Sequence, residues 1–360
     1  NWHFDDPSRS CPGTVARALG TLAGNSPSMG REMTFALAFL ALFIEALAGY
    51  PEKLVARIGH PVGWMSALVR RAAAAWNERS LSLSRRRLRG VLALATVLLV
   101  SVSCILLLDR TLDLLLPVAV AVIAKAILAS TLIAGRSLDE RVSAVAHALE
   151  QNGVTAGRTA LAPIVDRDTS TLDEAGVSRA AIESLAGGFS EGVVAPLIWL
   201  AAFGLPGCAL YKTVSTAGGM ASHASDPDDG QGAYGWAAVR LDEAVNVPSA
   251  RLSALWLAAA ARIMPGADWR SSLLSAVRDG PRHRVRNAGW PEAAMAGALG
   301  LMLAGPIDVG GRRIDNSWMG SGRRALTAAD IHAALRLYRI AYVLQAASIG
   351  LIALILLIVF

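Results

Sequence analysis

Long apolar runs constrain the fold of this chain more than any other feature. Residues 340–360 form a run of 21 residues without a charged side chain, and 91–108 and 112–134 are two further runs long enough to cross a bilayer as helices. Because 54% of the 360 residues are hydrophobic and only 17% are charged, the chain is too apolar for an ordinary water-soluble domain. The sequence therefore predicts an all-α, polytopic integral membrane protein with about four to five transmembrane helices.

The remaining segments define the predicted domain organisation. Residues 1–32 are polar and contain three prolines, which is typical of a disordered or non-native leader. Residues 33–345 are predicted to form a membrane-embedded domain, and 340–360 are predicted to form a C-terminal transmembrane helix. The first apolar run, 34–49, is predicted to be a retained helix, although its residues 46–48 (Ala-Leu-Ala) also resemble a signal-peptidase site.

The basic residues predict how the chain is oriented in the membrane. Nine of the 34 lysines and arginines fall within 50–90, so the positive-inside rule places this loop in the cytoplasm. The two runs that follow are predicted to form a helical hairpin joined at residues 109–111, with Lys125 either reaching the interface or facing a polar site. The predicted location is the bacterial inner membrane, with several crossings and a site that faces the cytoplasm. The net charge of +6 is attributed to topology and to anionic substrates, and no nucleic-acid partner is predicted.

The stretch 172–251 is unusual for a purely structural membrane segment. It places two charged, amphipathic helices on either side of an apolar segment, 193–211, that is interrupted by two prolines and two glycines. Ionisable groups beside broken apolar helices are typical of a polar site held at membrane depth. The interruptions favour a re-entrant segment, whereas a full crossing or extra crossings at 251–264 and 288–304 are the alternatives.

Clusters of arginine, carboxylate, amide and histidine side chains are the candidate site residues. Arg179 and Glu183 are four residues apart, as are Asp242 and Asn246, so each pair shares one face of a helix. Carboxylate and amide oxygens suit Mg²⁺, and arginine suits phosphate. When each cluster is taken alone, intrahelical ion pairs on a solvated face are the favoured explanation. The shared location of the clusters beside broken membrane helices makes a functional site an equal alternative. The chain has no phosphate-loop motif, so a nucleotide would be bound in another way.

Several sequence blocks together resemble the CobD/CbiB family of integral membrane adenosylcobinamide-phosphate synthases. The resemblance covers roughly 34–345, and the blocks are GHPVGW, RDTSTLDEAGVSRAAIES, EGVVAPLIW, GLPGCALYK, YGWAAVRLDEAVNVPSARL and NAGWPEAAMAGALGLMLAGP. It implies a carbon–nitrogen ligase of cobalamin biosynthesis that uses ATP and Mg²⁺. The implied reaction joins adenosylcobyric acid, a corrinoid, to (R)-1-amino-2-propanol O-phosphate or to aminopropanol. The expected partners are these substrates, the lipid bilayer, and either a second copy of the chain or other cobalamin-pathway enzymes.

The residue types and the resemblance together define a set of candidate site residues. His60, in a turn before Pro61, is as readily explained by capping or packing as by binding. The residues predicted to be catalytic are Glu183, Lys212, Asp242, His283 and Glu292. The residues predicted to bind substrate are His60, Arg179, Arg240, Asn246, Arg251, Arg278, Arg282, Asn287 and Trp290, and those predicted to bind the metal are Asp242 and Asp279.

The chain departs from the family pattern where a metal and phosphate site would need polar groups. Glycines replace amide, carboxylate or hydroxyl residues at 187, 188, 218 and 219, and Glu191 stands where an aspartate is usual. The expectation is that the fold is kept and the activity is weakened or lost. A non-catalytic membrane scaffold or sensor, similar to AmpE-like proteins, is therefore the alternative function. A transporter ranks last, because no repeat-related interruptions are present.

Overall fold

The computed structural model describes residues 31–49, 59–78, 80–165, 167–223, 232–309 and 312–359. Most of the predicted leader, 1–30, and part of the predicted cytoplasmic loop, 50–58, lie outside these residues. The described chain is predominantly helical, as predicted. Its α-helices are α1 (Arg31–Ala48), α2 (Pro61–Trp76), α3 (Leu83–Leu115), α4 (Val118–Ser130), α5 (Gly135–Leu161), α6 (Glu174–Gly188), α7 (Ala195–His223), α8 (Gly232–Val245), α9 (Val247–Ile263), α10 (Trp269–Asp279), α11 (Gly289–Leu299) and α12 (Ala328–Val359).

Four of the described helical stretches are long and apolar enough to cross a membrane. They are Leu83–Leu115, Val118–Leu161, Glu174–Ser222 and Ala328–Val359, and the shorter apolar helix Met33–Ala48 accompanies them. The polytopic all-α class is therefore confirmed. The C-terminal helix begins at Ala328, before the predicted start at 340, because its first turns bury apolar side chains such as Ile331 and Leu335 against the rest of the protein.

The predicted hairpin between the second and third apolar runs turns later than expected. Residues 109–111 are helical, and the turn lies at Leu116 and Pro117, because proline disfavours a helical conformation in the residue before it. Lys125 is buried within the hairpin and does not line the polar cavity described below. Its Nζ lies 2.8 Å from Asp109 Oδ1 and 2.9 Å from Asp113 Oδ2, so the two carboxylates on one face of α3 neutralise it inside the hairpin.

The predicted interruption of the segment 193–211 lies at Gly204. This residue has φ 66° and ψ −160°, a conformation that is essentially restricted to glycine. A Cβ built on Gly207 would lie 2.6 Å from the carbonyl oxygen of Trp199, although eight residues of straight helix span about 12 Å. The two parts of α7 therefore fold back on each other. The second part carries Tyr211 and Lys212 into the interior of the protein.

The centre of the fold is built from small residues on closely packed helices. α11 is buried along almost its whole length, and alanines fill most of its contacts with α9 and α10. A six-residue π-helix, Phe189–Val194, joins α6 to α7 and is also largely buried. Such π-helical insertions frequently occur at functional sites, since they change the direction in which side chains point.

Four short strands between α11 and α12 were not predicted. β1 (Leu303–Ala304) pairs with β4 (Trp318–Met319), and β2 (Ile307–Val309) pairs with β3 (Arg312–Ile314), both in antiparallel register. Strands of two or three residues carry too little alternation to be recognised in a sequence. β1 matters for the site, because the backbone N–H of Ala304 donates to Glu183 Oε1 at 2.8 Å.

Replacement of Gly204 by alanine should destabilise the protein by about 1–3 kcal/mol, because a Cβ is strained in this backbone conformation. The matched control is Gly219→Ala in the same helix, where an added Cβ meets no atom within 4 Å. Thermal unfolding of the purified protein in detergent should show a lower transition temperature for Gly204→Ala and little change for Gly219→Ala. Equal transition temperatures for the two variants would contradict the role assigned to Gly204.

Candidate active site

Two buried polar clusters lie in the interior of the helical bundle. We call them the Asp242 cluster, which consists of Glu191, Tyr211, Lys212, Asp242 and Asn246, and the Glu292 cluster, which consists of Arg167, Glu183, His283, Glu292 and Asn316. Glu191 acts electrostatically on both Asp242 and Glu292, so the clusters are neighbours. The structure thus brings together all five residues predicted to be catalytic.

Hydrogen bonds around Asn246 hold the Asp242 cluster in place. Asn246 immediately precedes α9, and its Nδ2 donates to Asp242 Oδ1 at 2.8 Å and to the Asp242 carbonyl oxygen at 3.1 Å. The Tyr211 hydroxyl donates to Asn246 Oδ1 at 2.9 Å. The amide of Asn246 is therefore saturated, and its position sets the orientation of the Asp242 carboxyl. No described residue donates to Asp242 Oδ2.

The surroundings of Asp242 favour its protonated form. Burial, followed by the negative charge of Glu191, raises the pKa of Asp242 to about 8, although the Asn246 hydrogen bond and Lys212 act in the opposite direction. At neutral pH the carboxyl therefore carries a proton for most of the time. Its pKa lies close to physiological pH, which is the range in which a general base is most effective.

A polar cavity of about 940 Å³ lies beside Lys212. His60, Arg136, Glu140 and Arg141 also line it, so the described lining carries two arginines, one lysine and one glutamate. Arg136 is bound to Glu140, with Nε 2.7 Å from Oε1, whereas Lys212 and Arg141 have no such partner among the described residues. A cavity with this lining favours an anionic ligand.

His60 caps a helix and also lines the cavity. Its Nδ1 accepts a hydrogen bond from the N–H of Val62 at 3.0 Å and so caps the start of α2. The imidazole also forms part of the cavity wall. Burial and the positive charge of Lys212 lower the pKa of His60, so the imidazole is neutral at pH 7.

The Glu292 cluster is centred on a buried carboxyl and imidazole pair. Glu292 Oε2 lies 3.3 Å from His283 Nε2, and both side chains are 8% exposed. Burial and the charge of Glu183 raise the pKa of Glu292 well above its usual value, and burial lowers the pKa of His283. Burial thus favours the neutral form of both groups, which avoids the cost of two buried charges. His283 Nε2 also lies 3.2 Å from Asn316 Nδ2.

Glu183 is held by groups distant from it in the chain. Arg167 Nη2 lies 3.0 Å from Glu183 Oε2, and β1 supplies a backbone N–H to its other oxygen. Arg179, its predicted helical partner, instead donates to the carbonyl oxygen of Arg324 at 3.0 Å and lies over the Trp318 ring. Arg179 is therefore placed at the edge of the Glu292 cluster.

A further set of predicted binding residues connects α8 to α11. Asn287 Nδ2 donates to the carbonyl oxygen of Glu243 at 2.7 Å, and its Oδ1 accepts from Arg251 Nη1 at 2.9 Å. The Arg251 guanidinium lies over the Trp290 ring, 4.5 Å from its centroid. The hydrogen bonds of Asn287 join residues that are 44 and 36 positions apart in the chain. They stabilise the junction that positions Asp242 and leave only part of Arg251 available to a ligand.

The structure does not favour the predicted metal role of Asp279. Arg278 donates to both of its oxygens, at 2.7 and 2.6 Å, and the N–H of Gly320 donates at 3.0 Å. Because protein donors occupy the carboxylate, Asp279 serves as an anchor for the turn at Gly320. Arg282 lies 3.8 Å from Asp279 and is largely exposed. Arg240 is also exposed and pairs with Glu243 at 2.7 Å.

Several residues of the site were not among those predicted. Glu191 was noted only as a departure from the family pattern, Tyr211 adjoins Lys212 in sequence, and Arg167 and Asn316 lie in connecting segments. Arg136 and Arg141 belong to an amphipathic helix, and its sequence pattern predicts that the basic face is exposed to solvent. No sequence pattern marks them, because only the fold places these helices around the cavity.

The glycines that depart from the family pattern differ in the space around them. A Cβ on Gly218 would lie 2.4 Å from the Asp242 Cβ, so a side chain there would displace Asp242. A Cβ on Gly188 would lie 2.8 Å from the end of the Leu138 side chain, which can move. Gly187 and Gly219 have no atom within 4 Å of an added Cβ. The weakened activity expected from these glycines remains a prediction.

Comparison with known proteins identifies the relatives of this chain. The sequence model of the family described as CobD/Cbib protein matches residues 38–338. Cobalamin biosynthesis protein CobD of a Sinorhizobium species is 43% identical over 301 residues, which cover 83% of this chain and 92% of the relative. The proteins of the same name from Sinorhizobium fredii and Rhodobacter capsulatus are 42% and 40% identical, and each match covers 88% of this chain and 97% of the relative. No solved structure matches the chain.

The carboxyl of Asp242 should titrate with a midpoint of about 8. Infrared difference spectra of the purified protein between acidic and alkaline pH should show the loss of a protonated carboxyl with this midpoint, and Asp242→Asn should remove the signal. Asp268→Asn is the control, since that carboxyl is exposed and caps α10. A spectrum that Asp242→Asn leaves unchanged would contradict the assignment. A lower midpoint in the presence of Mg²⁺ would indicate that Asp242 is a metal ligand.

Proposed function

Because the chain belongs to the CobD/CbiB protein family of cobalamin biosynthesis, we propose that it catalyses an ATP-dependent amide ligation in the membrane. The reaction joins a carboxylate of adenosylcobyric acid to the amine of (R)-1-amino-2-propanol O-phosphate, or of aminopropanol, and gives adenosylcobinamide phosphate or its unphosphorylated form. The observation that carries this proposal is the cationic cavity of about 940 Å³ next to the Asp242 cluster. The volume and the positive charge of this cavity suit the binding of phosphate groups.

The chemistry requires activation of the carboxylate, followed by attack of the amine. In the first step a carboxylate oxygen of the corrinoid attacks the γ-phosphorus of ATP, the bond to ADP breaks, and an acyl phosphate forms. In the second step the amine nitrogen attacks the carbonyl carbon, a proton leaves the nitrogen, and inorganic phosphate departs. Negative charge develops on phosphate and carbonyl oxygens in both steps, so cations near those oxygens lower the barrier.

We assign Lys212, Arg136 and Arg141 to the phosphate groups, because these cations line the cavity. The ionised form of Asp242 accepts the proton of the amine, and its pKa of about 8 makes it a suitable acceptor. His283 and the protonated Glu292 form the other side of the site and donate hydrogen bonds to the developing oxyanion. Glu183 positions this side through Arg167 and β1.

Mg²⁺ is expected to accompany ATP in such a reaction and to neutralise charge on its phosphates. Asp242 and Glu191 fit this hard cation best among the described residues of the site. None of the described residues donates to Asp242 Oδ2, and Glu191 is the carboxylate whose charge acts on Asp242. If Asp242 bound Mg²⁺ through this oxygen, another group would have to accept the proton of the amine. Asp279 fits less well, since Arg278 and Gly320 already bind its oxygens.

A non-catalytic scaffold or sensor on the same fold is the second candidate function. Glycines at 187 and 219 leave open space next to the site where family members are expected to carry polar side chains. A protein that binds corrinoid or a pathway enzyme without ligating a substrate would tolerate this loss. Location in the inner membrane with the site facing the cytoplasm is part of the proposal for either function.

Purified protein in detergent should convert adenosylcobyric acid, aminopropanol phosphate, ATP and Mg²⁺ to the amide, which mass spectrometry detects. Lys212→Met and Asp242→Asn should each lower kcat/KM by about 10²-fold or more. The first removes a cation that binds phosphate oxygens, and the second removes the proton acceptor. Glu78→Gln is the matched control, since Glu78 pairs with Arg89 at the protein surface.

The outcomes of this assay separate the two functions. Full activity in Lys212→Met and Asp242→Asn would contradict the roles assigned to these residues but would support the proposed reaction. Absence of product from the parent protein, with product from a variant in which polar side chains are restored at 187 and 219, would identify a disabled ligase. Absence of product from both, together with retained corrinoid binding, would favour the scaffold. The side chain at 218 should be left as glycine in the restored variant, since it would displace Asp242.

A further inference from the structure

Two histidines and a glutamate meet on a surface away from the proposed active site. His147 and Glu150 lie on α5, and His332 lies on the first turns of α12. His332 Nε2 lies 3.0 Å from Glu150 Oε1, and His147 Nδ1 lies 3.9 Å from Glu150 Oε2. One ligand atom from each residue can be chosen so that all three lie within 4.8 Å of one another. This is the only group of this kind among the described residues of the chain.

The meeting of the three side chains is set by the packing of α5 against α12. The Tyr338 hydroxyl donates to the carbonyl oxygen of Gly135 at 2.8 Å, and Arg339 donates to both oxygens of Asp139 at 2.7 and 2.8 Å. These contacts align the two helices one to four turns away from the histidines. His332 therefore reaches α5 through a fixed helix pair rather than through a mobile loop.

We propose that His147, Glu150 and His332 form a binding site for a divalent transition-metal ion such as Zn²⁺. Two imidazoles and one carboxylate are a common zinc ligand set, with Zn–N distances of about 2.0–2.1 Å. Ligand atoms of a tetrahedral ion at such distances lie about 3.3 Å apart, whereas the ligand atoms of the three residues lie within 4.8 Å of one another, so His147 must move by up to about 1.5 Å. Its side chain is 61% exposed and free to make this adjustment.

The ligand chemistry separates this site from the proposed Mg²⁺ site. Imidazole nitrogen favours Zn²⁺, Ni²⁺ and Cu²⁺ over Mg²⁺, whereas Asp242 and Glu191 offer oxygen only. Exposure lets the ion enter from solvent, and three protein ligands leave at least one position for water. The bound ion would join α5, which carries Arg136 and Arg141 of the cavity, to the membrane helix α12. We assign it a structural role as a clasp between these helices.

Hydrogen bonds alone would also account for the positions of these side chains, and a metal titration distinguishes the two explanations. The untagged full chain in detergent is freed of metal with a chelator and then titrated with Zn²⁺ by calorimetry. One ion should bind per chain and raise the thermal transition temperature. Co²⁺ should bind in its place and give the visible absorption of a tetrahedral or five-coordinate ion with nitrogen ligands.

His147→Ala and His332→Ala should each weaken Zn²⁺ binding by at least about tenfold and abolish the increase in transition temperature. Glu150→Gln should weaken binding while it preserves the shape of the side chain. Glu78→Gln, an exposed carboxylate outside the group, should bind as the parent does. All three ligand variants lie on the surface, so transition temperatures in the absence of metal should stay close to that of the parent.

Binding of Zn²⁺ with parental affinity in both histidine variants would overturn the proposal, because the ion would then lie elsewhere. Absence of binding at about 100 μM Zn²⁺ would also overturn it, since a three-ligand site is expected to bind more tightly. The result does not depend on ligase activity. The metal site and the proposed function can therefore fail independently.

Discussion

The interior of this protein depends on keeping ionisable groups uncharged or neutralised where water is scarce. An isolated charge in an apolar medium costs several kcal/mol, so each buried acid or base requires a partner or gives up its charge. Lys125 takes two carboxylates as partners, whereas Asp242 and Glu292 retain protons. The same constraint explains the saturated amide of Asn246, which receives from Tyr211 and donates to Asp242.

These requirements are met by departures from regular helix. Gly204 lets α7 fold back, and the π-helix Phe189–Val194 carries Glu191 toward the interior. Glu191 lies within the π-helix, and Lys212 follows Gly204 by eight residues. The cost of the irregular backbone is offset by burial of the surrounding alanine-rich helices, which allow close approach. The polar site and the small-residue core are thus parts of one arrangement.

Charge is distributed differently in the cavity and in the two clusters. The described cavity walls carry two arginines and a lysine but only one carboxylate, so their electrostatic field favours an anionic ligand. In the clusters, burial favours the protonated forms of Asp242 and Glu292. The proposed ligation would use both environments, because phosphate must be held while a proton leaves the amine. Lys212 lines the cavity and also acts on Asp242, so the two environments adjoin.

The sequence by itself determined the fold class, the main apolar helices and the family. Apolar runs and the interrupted segment 193–211 are local patterns, and local chemistry decides whether such segments can cross or enter a bilayer. It did not show the later turn at Pro117, the early start of α12, or the four short strands. Each of these depends on packing against distant segments, and propensity carries no information about such partners.

Only the tertiary structure decided which charged residues share a site. Arg179 and Glu183 are on one helix turn, yet their partners come from 324 and 167. Asp242 and Asp279 have the same side chain, but Asp242 lies near Glu191 and receives a described hydrogen bond on one oxygen only, whereas Arg278 donates to both oxygens of Asp279. Burial, pKa and available donors are properties of the surroundings. These surroundings arise when helices that are distant in the chain pack together, and no local pattern records them.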